Sequence, residues 1–289
     1  MSNHVLQSCH KQLAQVFCDL FNRSLEEHIV PALWKSSIIS PVPKKASPSA
    51  PRPVALTPVI MKCFERLVLS QVQQSVQSIV DPLQFAYQQN RGVDDALLTL
   101  LHLVQSHLDT TKSYIRLVFL DFSSAFNTIQ PHLMAKKLLK INLNPHLILW
   151  VMPFLTDRPQ WVRYKGHCNT TRTISTGSPQ GSVVSPVLFT LYTDDCQSNC
   201  PEIMFIKYSD DTVIVDSSNS DDKLQSAVSQ FQQWCEVNLL DLNVEKTKEI
   251  AIDFQRELSP LRPLTIGAKT VERVEEYRYL VHTYTSFQA

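Results

Sequence analysis

Ile203-Met204-Phe205-Ile206-Lys207-Tyr208-Ser209-Asp210-Asp211-Thr212-Val213-Ile214-Val215 holds two short apolar runs on either side of a polar centre. Runs of this length flanking a tight polar segment predict a β-hairpin, here with two carboxylates at its tip. Upstream, Ile115 to Phe122 is a strongly apolar strand with Asp121 near its end. A carboxylate at the end of a buried strand is costly unless it is paired, hydrogen-bonded or bound to a cation. Taken singly, either segment is ordinary turn chemistry.

Working outward, helical spacing of apolar residues predicts helices over 9–30, from Met61 to about Val80, and over Asp94 to Leu108 with a cap near Asp94. Pro131 to Leu139, Pro145 to Leu155, Val183 to Tyr192 and Leu224 to Leu239 read as four more. Trp161 to Tyr164 and Thr170 to Ser175 predict a hairpin around Lys165-Gly166, and Glu249 to Phe254 a strand. Ile38 to Val42 is a short apolar run leading into a Pro/Ser/Ala loop that ends at Pro53. Helices and strands mix without regular βαβ alternation, so the fold class is α+β. Tyr192-Thr193-Asp194-Asp195 repeats the Tyr-x-Asp-Asp form of the hairpin tip. It follows a helix and runs into polar Cys196-Gln197-Ser198-Asn199, so it reads as a helix end.

The 289 residues are 44% hydrophobic and 19% charged, with 17 Pro and 5 Gly. This excludes a disordered tail, a collagen-like repeat and a disulfide-stapled miniprotein. Two of the few glycines, Gly177 and Gly181, fall in one segment. The charge is balanced at 27 basic and 27 acidic residues, which argues against a generic polyanion binder. Residues 1–120 carry +3 and the remainder −3. That acidic excess fits either carboxylates gathered around metal or an ordinary mixed surface. Seven scattered cysteines without a secretory segment indicate reduced thiols in an intracellular compartment. Cys196 and Cys200, with His167-Cys168, do not make a zinc-site spacing. No run of about 18 apolar residues spans a membrane.

Three carboxylates drawn together from two strands repel one another without a cation. Two divalent ions about 3.5–4 Å apart remove that repulsion, activate a 3′ hydroxyl and stabilise a leaving pyrophosphate. Mg²⁺ suits such a site because it takes few carboxylates and keeps positions for water and phosphate, and Mn²⁺ is a substitute.

In order along the chain, several segments resemble the reverse transcriptase of non-LTR (LINE-type) retrotransposons. Asp121-Phe122-Ser123-Ser124-Ala125-Phe126 is similar to the family's D-[FY]-x-x-A-F motif. Gly177-Ser178-Pro179-Gln180-Gly181-Ser182, with Ser185-Pro186, is similar to G-x-P-Q-G-x-x-x-S-P, and Tyr208-Ser209-Asp210-Asp211 to [FY]-x-D-D. Lys246-Thr247-Lys248 after Leu242-Asn243 resembles the next motif. Trp34 to Lys45, Arg52 to Pro58, Lys62-Cys63-Phe64-Glu65-Arg66 and Gln84-Phe85-Ala86-Tyr87 resemble fingers segments.

The resemblance implies a right-hand polymerase. Fingers fall at 1–115, a palm with an antiparallel sheet of split βαβ type at 116–255, and a primer grip at 256–289, with the thumb missing. It implies RNA-directed DNA synthesis by two-metal nucleotidyl transfer on an RNA template and DNA primer, with deoxynucleoside triphosphates as substrates. Asp121 and Asp210 are then direct metal ligands, the Phe122 carbonyl a further one, and Asp211 the third carboxylate. Phe126, beside small Ala125, lies under the incoming sugar and selects deoxynucleotides. Gln180 contacts nucleotide or template, Lys44, Lys45 and Arg52 meet the triphosphate, and either Lys246 or Lys248 lies near the leaving phosphate.

The sequence also departs from that pattern. Ala50-Pro51-Arg52-Pro53 is shorter than the family's segment, and Gln88 stands where an arginine often follows the aromatic. Ser209 replaces the usual Ala, and Tyr279-Leu280-Val281-His282 lacks the Gly expected after Tyr-Leu. With no thumb after Ala289 and no endonuclease domain upstream, the expectation is weak duplex binding and little processive synthesis. The alternative is a non-catalytic retrotransposon remnant or a nucleic-acid-binding module. A generic two-metal nuclease leaves Gly177–Gly181 unexplained.

Overall fold

The apolar run ending at Asp121 is the middle strand of a five-stranded sheet. Its order is Glu272–Arg273, Lys248–Ile252, Ile115–Leu120, Asp211–Asp216, Ile203–Tyr208. The structure, a computed structural model, describes residues 3–44, 47–77, 79–111, 113–253 and 261–286. Its secondary structure is α+β, and the chain divides into two interleaved units. One unit is Met1–Ile79 with Phe126–Tyr192; the other is Val80–Ala125 with Thr193–Ala289.

The second unit carries the sheet. Every residue of Ile115–Leu120 is buried, which is why the strand is continuously apolar rather than alternating. Leu117 and Phe119 face a core built with the helix Val93–Thr111. On the opposite side Phe231, from the helix Asp221–Val237, meets Phe122 and Phe205 at ring distances of 5.9 and 5.6 Å. The one charged residue of the middle strand, Arg116, is neutralised at once. Its guanidinium donates to Glu249 at 2.5 Å, to Asp221 at 2.5 Å and to the Arg262 carbonyl at 3.2 Å.

The predicted hairpin forms, with Tyr208 paired to Asp211 and a two-residue turn of Ser209 and Asp210. The helix expected from Asp94 runs Val93–Thr111, and Asp95, not Asp94, reaches back to the Gly92 amide at 2.7 Å. The strand expected to end at Phe254 is Lys248–Ile252, Phe254 lying outside the described residues. Glu276–Tyr279 and His282–Thr285 pair as a hairpin although no glycine occupies the turn. Leu280 takes the left-handed conformation instead, at φ 54°. Tyr277, Tyr279 and Tyr284 crowd onto Phe119 at 4.5, 5.3 and 6.0 Å, which holds the hairpin in place.

In the first unit, the helices His10–Glu26, Val59–Val76 and Pro145–Leu155 share an aromatic core. Phe21 stacks on Phe64 at 4.4 Å, and Phe64 meets Trp150 edge-on at 5.1 Å. The loop expected before Pro53 is a correction: Ser37–Lys44 and Ser47–Leu56 pair as antiparallel strands. Prolines argued against a strand there because they cannot donate to a ladder. In the observed register Pro41 lies opposite Pro53, and Pro43 is two residues further along the same edge. Antiparallel pairs alternate between bonded and non-bonded sites, so prolines at every second position use only sites that need no donor. The hairpin expected around Lys165-Gly166 also forms, with Arg158–Tyr164 paired to His167–Cys168 and to Arg172–Ile174. Arg158–Tyr164 also runs parallel to Ser37–Lys44. Among the described residues no helix is long and apolar enough to cross a membrane.

Candidate active site

Strand register brings the acids of the second unit together. Leu120 pairs with Thr212, so Asp121, one step further, lies opposite Asp211, while Asp210 occupies the adjoining turn. Ser209 carries the turn in the left-handed conformation at φ 61°. Its hydroxyl meets the Tyr87 hydroxyl at 3.0 Å, and its amide donates to the Gln84 side chain at 3.3 Å. The serine that departs from the family's alanine is therefore a tether to Tyr87.

Asp211 is exposed, yet its carboxyl is pushed up to about 6 by desolvation first, then by the charges of Asp210 and Asp121. Asp211 and Asp121 in turn add to the desolvation that raises the Tyr277 hydroxyl. The Lys246 ammonium sits 3.2 Å from Asp121 Oδ2. Lys248 is engaged elsewhere, with Glu272 at 2.5 Å and the Glu245 carbonyl at 2.8 Å. Of the two lysines, Lys246 is thus the one placed at the carboxylates.

Phe122 is bridged to Leu242 through its neighbours: Asn243 donates to the Asp121 carbonyl at 2.8 Å and Ser123 to the Asp241 carbonyl at 2.7 Å. In such a pairing the residue between the two bonds turns its own carbonyl to the opposite side. Among the described residues no group of three or more His, Cys, Asp or Glu side chains is gathered tightly enough to hold a metal ion. The donor set is nevertheless of the kind that a small hard cation takes, carboxylate oxygens and a backbone carbonyl. A cation there would offset both the desolvation that chiefly raises the Asp211 carboxyl and the neighbouring charges of Asp210 and Asp121.

Asp194 and Asp195 do structural work, as a helix end implies. Asp194 accepts the Asp81 amide at 2.7 Å, and Asp195 accepts the Trp234 indole N–H at 3.1 Å.

The remaining nucleotide-side candidates belong to the first unit, apart from Ala125, which like Lys246 and Lys248 belongs to the second and is buried at the start of the short helix Ala125–Thr128. Phe126 is half-buried with its ring 4.8 Å from that of Phe189, and its carbonyl accepts the Ser178 amide at 2.8 Å. Gly177 donates to the Ile129 carbonyl at 2.7 Å. It has φ +67°, and a Cβ there would stand 2.6 Å from the Asn127 carbonyl oxygen, so this position requires glycine. The Gln180 carbonyl accepts the Ala55 amide at 2.7 Å, tying the loop to the strand that carries exposed Arg52. Only the backbone of Lys44 is described, and Lys45 lies outside the described residues.

Two residues that hold the Gly177–Gly181 loop escaped the sequence reading. Arg158 is buried without an acidic partner among the described residues. It donates to the carbonyls of Thr176 and Gly177, both at 2.6 Å, and burial lowers it to about 10. Glu65 is wholly buried and accepts from the Ser182 hydroxyl at 2.6 Å and the amides of Val183 and Val184 at 2.5 and 3.1 Å. A carboxylate on the apolar face of a helix, between Met61 and Val68, was the available signal.

The order of the motifs along the chain and the mixed α+β fold, whose five-stranded sheet is antiparallel except for the parallel edge strand Glu272–Arg273, are met by a direct comparison: the family described as reverse transcriptase (RNA-dependent DNA polymerase) matches residues 42–284. The chain belongs to that family. It is a reverse transcriptase domain of the non-LTR, LINE type. It is 26% identical over 298 residues to the RNA-directed DNA polymerase from mobile element jockey of Drosophila melanogaster, covering 97% of this chain and 32% of that protein. The jockey polymerase of Drosophila funebris is 26% identical over 243 residues, covering 79% of this chain and 26% of its own length. The domain therefore spans about a third of the curated relatives it matches. In fold it is similar to apo telomerase from Candida tropicalis truncated from its C-terminal domain. The TM-score is 0.60 at 11% identity, covering 90% of this chain and 55% of that one.

The raised Asp211 gives a pH-dependent expectation. A carboxyl whose folded value lies above its unfolded value binds more protons when folded, so its ionisation destabilises the fold as pH rises from about 4 through 6. Asp211→Asn removes that burden. Its melting temperature should exceed the parent's at pH 7.5, and the gap should close near pH 3.5. An unchanged gap across that range would mean that the repulsion is not felt.

Proposed function

We propose that this reverse transcriptase domain adds deoxynucleotides to a DNA primer on an RNA template, with the second unit acting as the palm. The observation that carries this reading is the strand register that sets Asp121 beside Asp211 and Asp210. Asp121, Asp210 and Asp211, with the Phe122 carbonyl, would hold divalent cations, Mg²⁺ in the first instance. When bound, these supply charge for the attacking 3′ hydroxyl and the departing pyrophosphate. Lys246, beside Asp121, is placed to give a proton to the leaving phosphate. Phe126 backs the sugar, Gln180 reads nucleotide or template from its anchored loop, and Arg52 meets the triphosphate.

The departures support low processivity. Gln88 offers no charge to a phosphate, and Leu280 holds the primer-grip turn in a conformation that suits glycine better.

The test is primer extension on a mixed-sequence RNA template with Mg²⁺, alongside Asp210→Asn. The expected result is addition of a few nucleotides per binding event, lost by at least about 1,000-fold in the variant, the scale on which preorganised electrostatic groups act. No extension with either Mg²⁺ or Mn²⁺ would favour the non-catalytic remnant. Extension that survives Asp210→Asn would remove the carboxylates from the mechanism.

A further inference from the structure

The balanced charge of the whole chain conceals a separation that the fold makes. Counted by structural unit, Met1–Ile79 with Phe126–Tyr192 holds 15 Lys and Arg against 5 Asp and Glu, a net +10. The other unit holds 12 against 22, a net −10. Cutting the sequence at residue 120 misses this because each unit is assembled from two separate stretches of chain.

Within the cationic unit the excess has a focus. From Arg158 through Thr193 there is no acidic residue. The first half of that span is the paired arm Arg158–Tyr164, His167–Cys168 and Arg172–Ile174, and every residue from Val162 to Thr173 is exposed. The arm carries Arg163, Lys165, His167 and Arg172 beside Tyr164, which is 58% exposed, with the Lys165 ammonium 5.4 Å from its ring centre. Register places Arg172 opposite Gln160 and His167 opposite Tyr164, on one face, while Arg163 shows on the other. No salt bridge engages Arg163, Lys165 or Arg172 among the described residues. At its base, Arg158 is bonded to Thr176 and Gly177, so the arm is joined directly to the loop that presents Gln180.

We propose that this arm grips the phosphodiester backbone of the template–primer, independently of base sequence. The inference rests on the polymerase reading above and assigns to it a phosphate-binding surface outside the motifs. Guanidinium and ammonium groups held on a two-stranded ribbon, with hydroxyl and amide side chains at Asn169, Thr170, Thr171 and Thr173 between them, are the groups that contact phosphates. An exposed tyrosine beside them offers a ring to an unpaired base.

The experiment measures binding of the whole domain to a fluorescein-labelled, mixed-sequence RNA–DNA hybrid by anisotropy, over about 50 to 300 mM KCl. The variant Arg163→Gln/Lys165→Gln/Arg172→Gln is compared with Lys11→Gln/Lys136→Gln/Lys140→Gln. The control removes three exposed cations from elsewhere in the same unit, so the two variants have equal net charge. Each phosphate contact contributes about 0.7–0.9 to the slope of log affinity against log salt. The arm variant should therefore lower the slope by about 2 and the affinity at 100 mM KCl by about 100-fold, with the control close to the parent. Equal losses in the two variants, or an unchanged slope in the arm variant, would overturn the proposal. So would a polyglutamate peptide that competes as well as RNA at matched charge, which would make the arm a docking site for an acidic protein. Because the readout is binding, it separates the two readings. Arm-dependent binding without extension would fail the polymerase reading alone, and extension with arm-independent binding would fail the arm alone.

Discussion

Glu65→Ala should cost the domain about 3–5 kcal/mol of unfolding free energy. One oxygen of this wholly buried carboxylate accepts three hydrogen bonds, from the Ser182 hydroxyl and the Val183 and Val184 amides. The amides lead into the helix Ser185–Tyr192, whose first N–H groups have no partner within the helix. Alanine strands all three donors in the interior, and each costs about 1–3 kcal/mol when left unmade, part of which local relaxation recovers. The other Glu65 oxygen is buried with no hydrogen-bond partner among the described residues, and burial is the main cause raising the carboxyl above its ordinary value. A neutral acceptor of the same shape should therefore serve nearly as well, with Glu65→Gln falling within about 1 kcal/mol of the parent. Urea unfolding of the three proteins at pH 7 is the measurement. An alanine variant as stable as the glutamine variant would show that the carboxylate does not hold the loop. Since that loop runs into Gln180 and Gly181, primer extension by Glu65→Ala should also fall, through loss of positioning rather than of chemistry.

The sequence was readable where one residue type carries both local and global information. The Ile203–Val215 stretch announces a hairpin by its pattern and a charged tip by its composition, and both are found. Gly177 and Gly181 stood out because glycine is scarce in this chain, and at Gly177 the neighbouring Asn127 backbone leaves no room for a Cβ. The Pro-rich strand pair 37–56 was not readable, because whether a proline breaks a ladder depends on which edge its nitrogen faces. Register is set by the partner strand and not by the strand itself. The same limit hid Lys246 from Lys248: two residues apart, they look alike in sequence, yet one meets Asp121 and the other Glu272. The segregation of charge is hidden in the sequence for a related reason. A net value of zero is a sum over the chain, and only the fold says which residues are to be summed together.

Lys207→Met should be about as damaging as the loss of Glu65. The residue stands on the Ile203–Tyr208 strand directly before the carboxylate turn and is 1% exposed. Its ammonium has three hydrogens and three acceptors: Asp81 Oδ2 at 2.8 Å, the Thr193 carbonyl at 3.0 Å and the Cys196 carbonyl at 2.9 Å. Its backbone joins the Gln84 segment on both sides, donating to the Leu83 carbonyl at 2.8 Å and accepting from Phe85 at 2.9 Å. That segment carries Gln84 and Tyr87, the two groups bonded to Ser209. A methionine fills the same space and keeps the backbone bonds, but it leaves the buried Asp81 carboxylate without its cation. Breaking a buried pair from one side costs about 3–5 kcal/mol because of that uncompensated charge. The penalty belongs to the orphaned acid, so Asp81→Asn/Lys207→Met should recover about half of it. The two residues would then show a coupling energy of about 1.5–3 kcal/mol in a double-mutant cycle. Chemical unfolding of the parent, both single variants and the double variant provides the four corners of the cycle. Additive losses would mean that Lys207 acts through the Thr193 and Cys196 carbonyls alone. In that case the Tyr87–Ser209 tether, and with it the Asp210 turn, would be held by the strand and not by the ion pair beneath it.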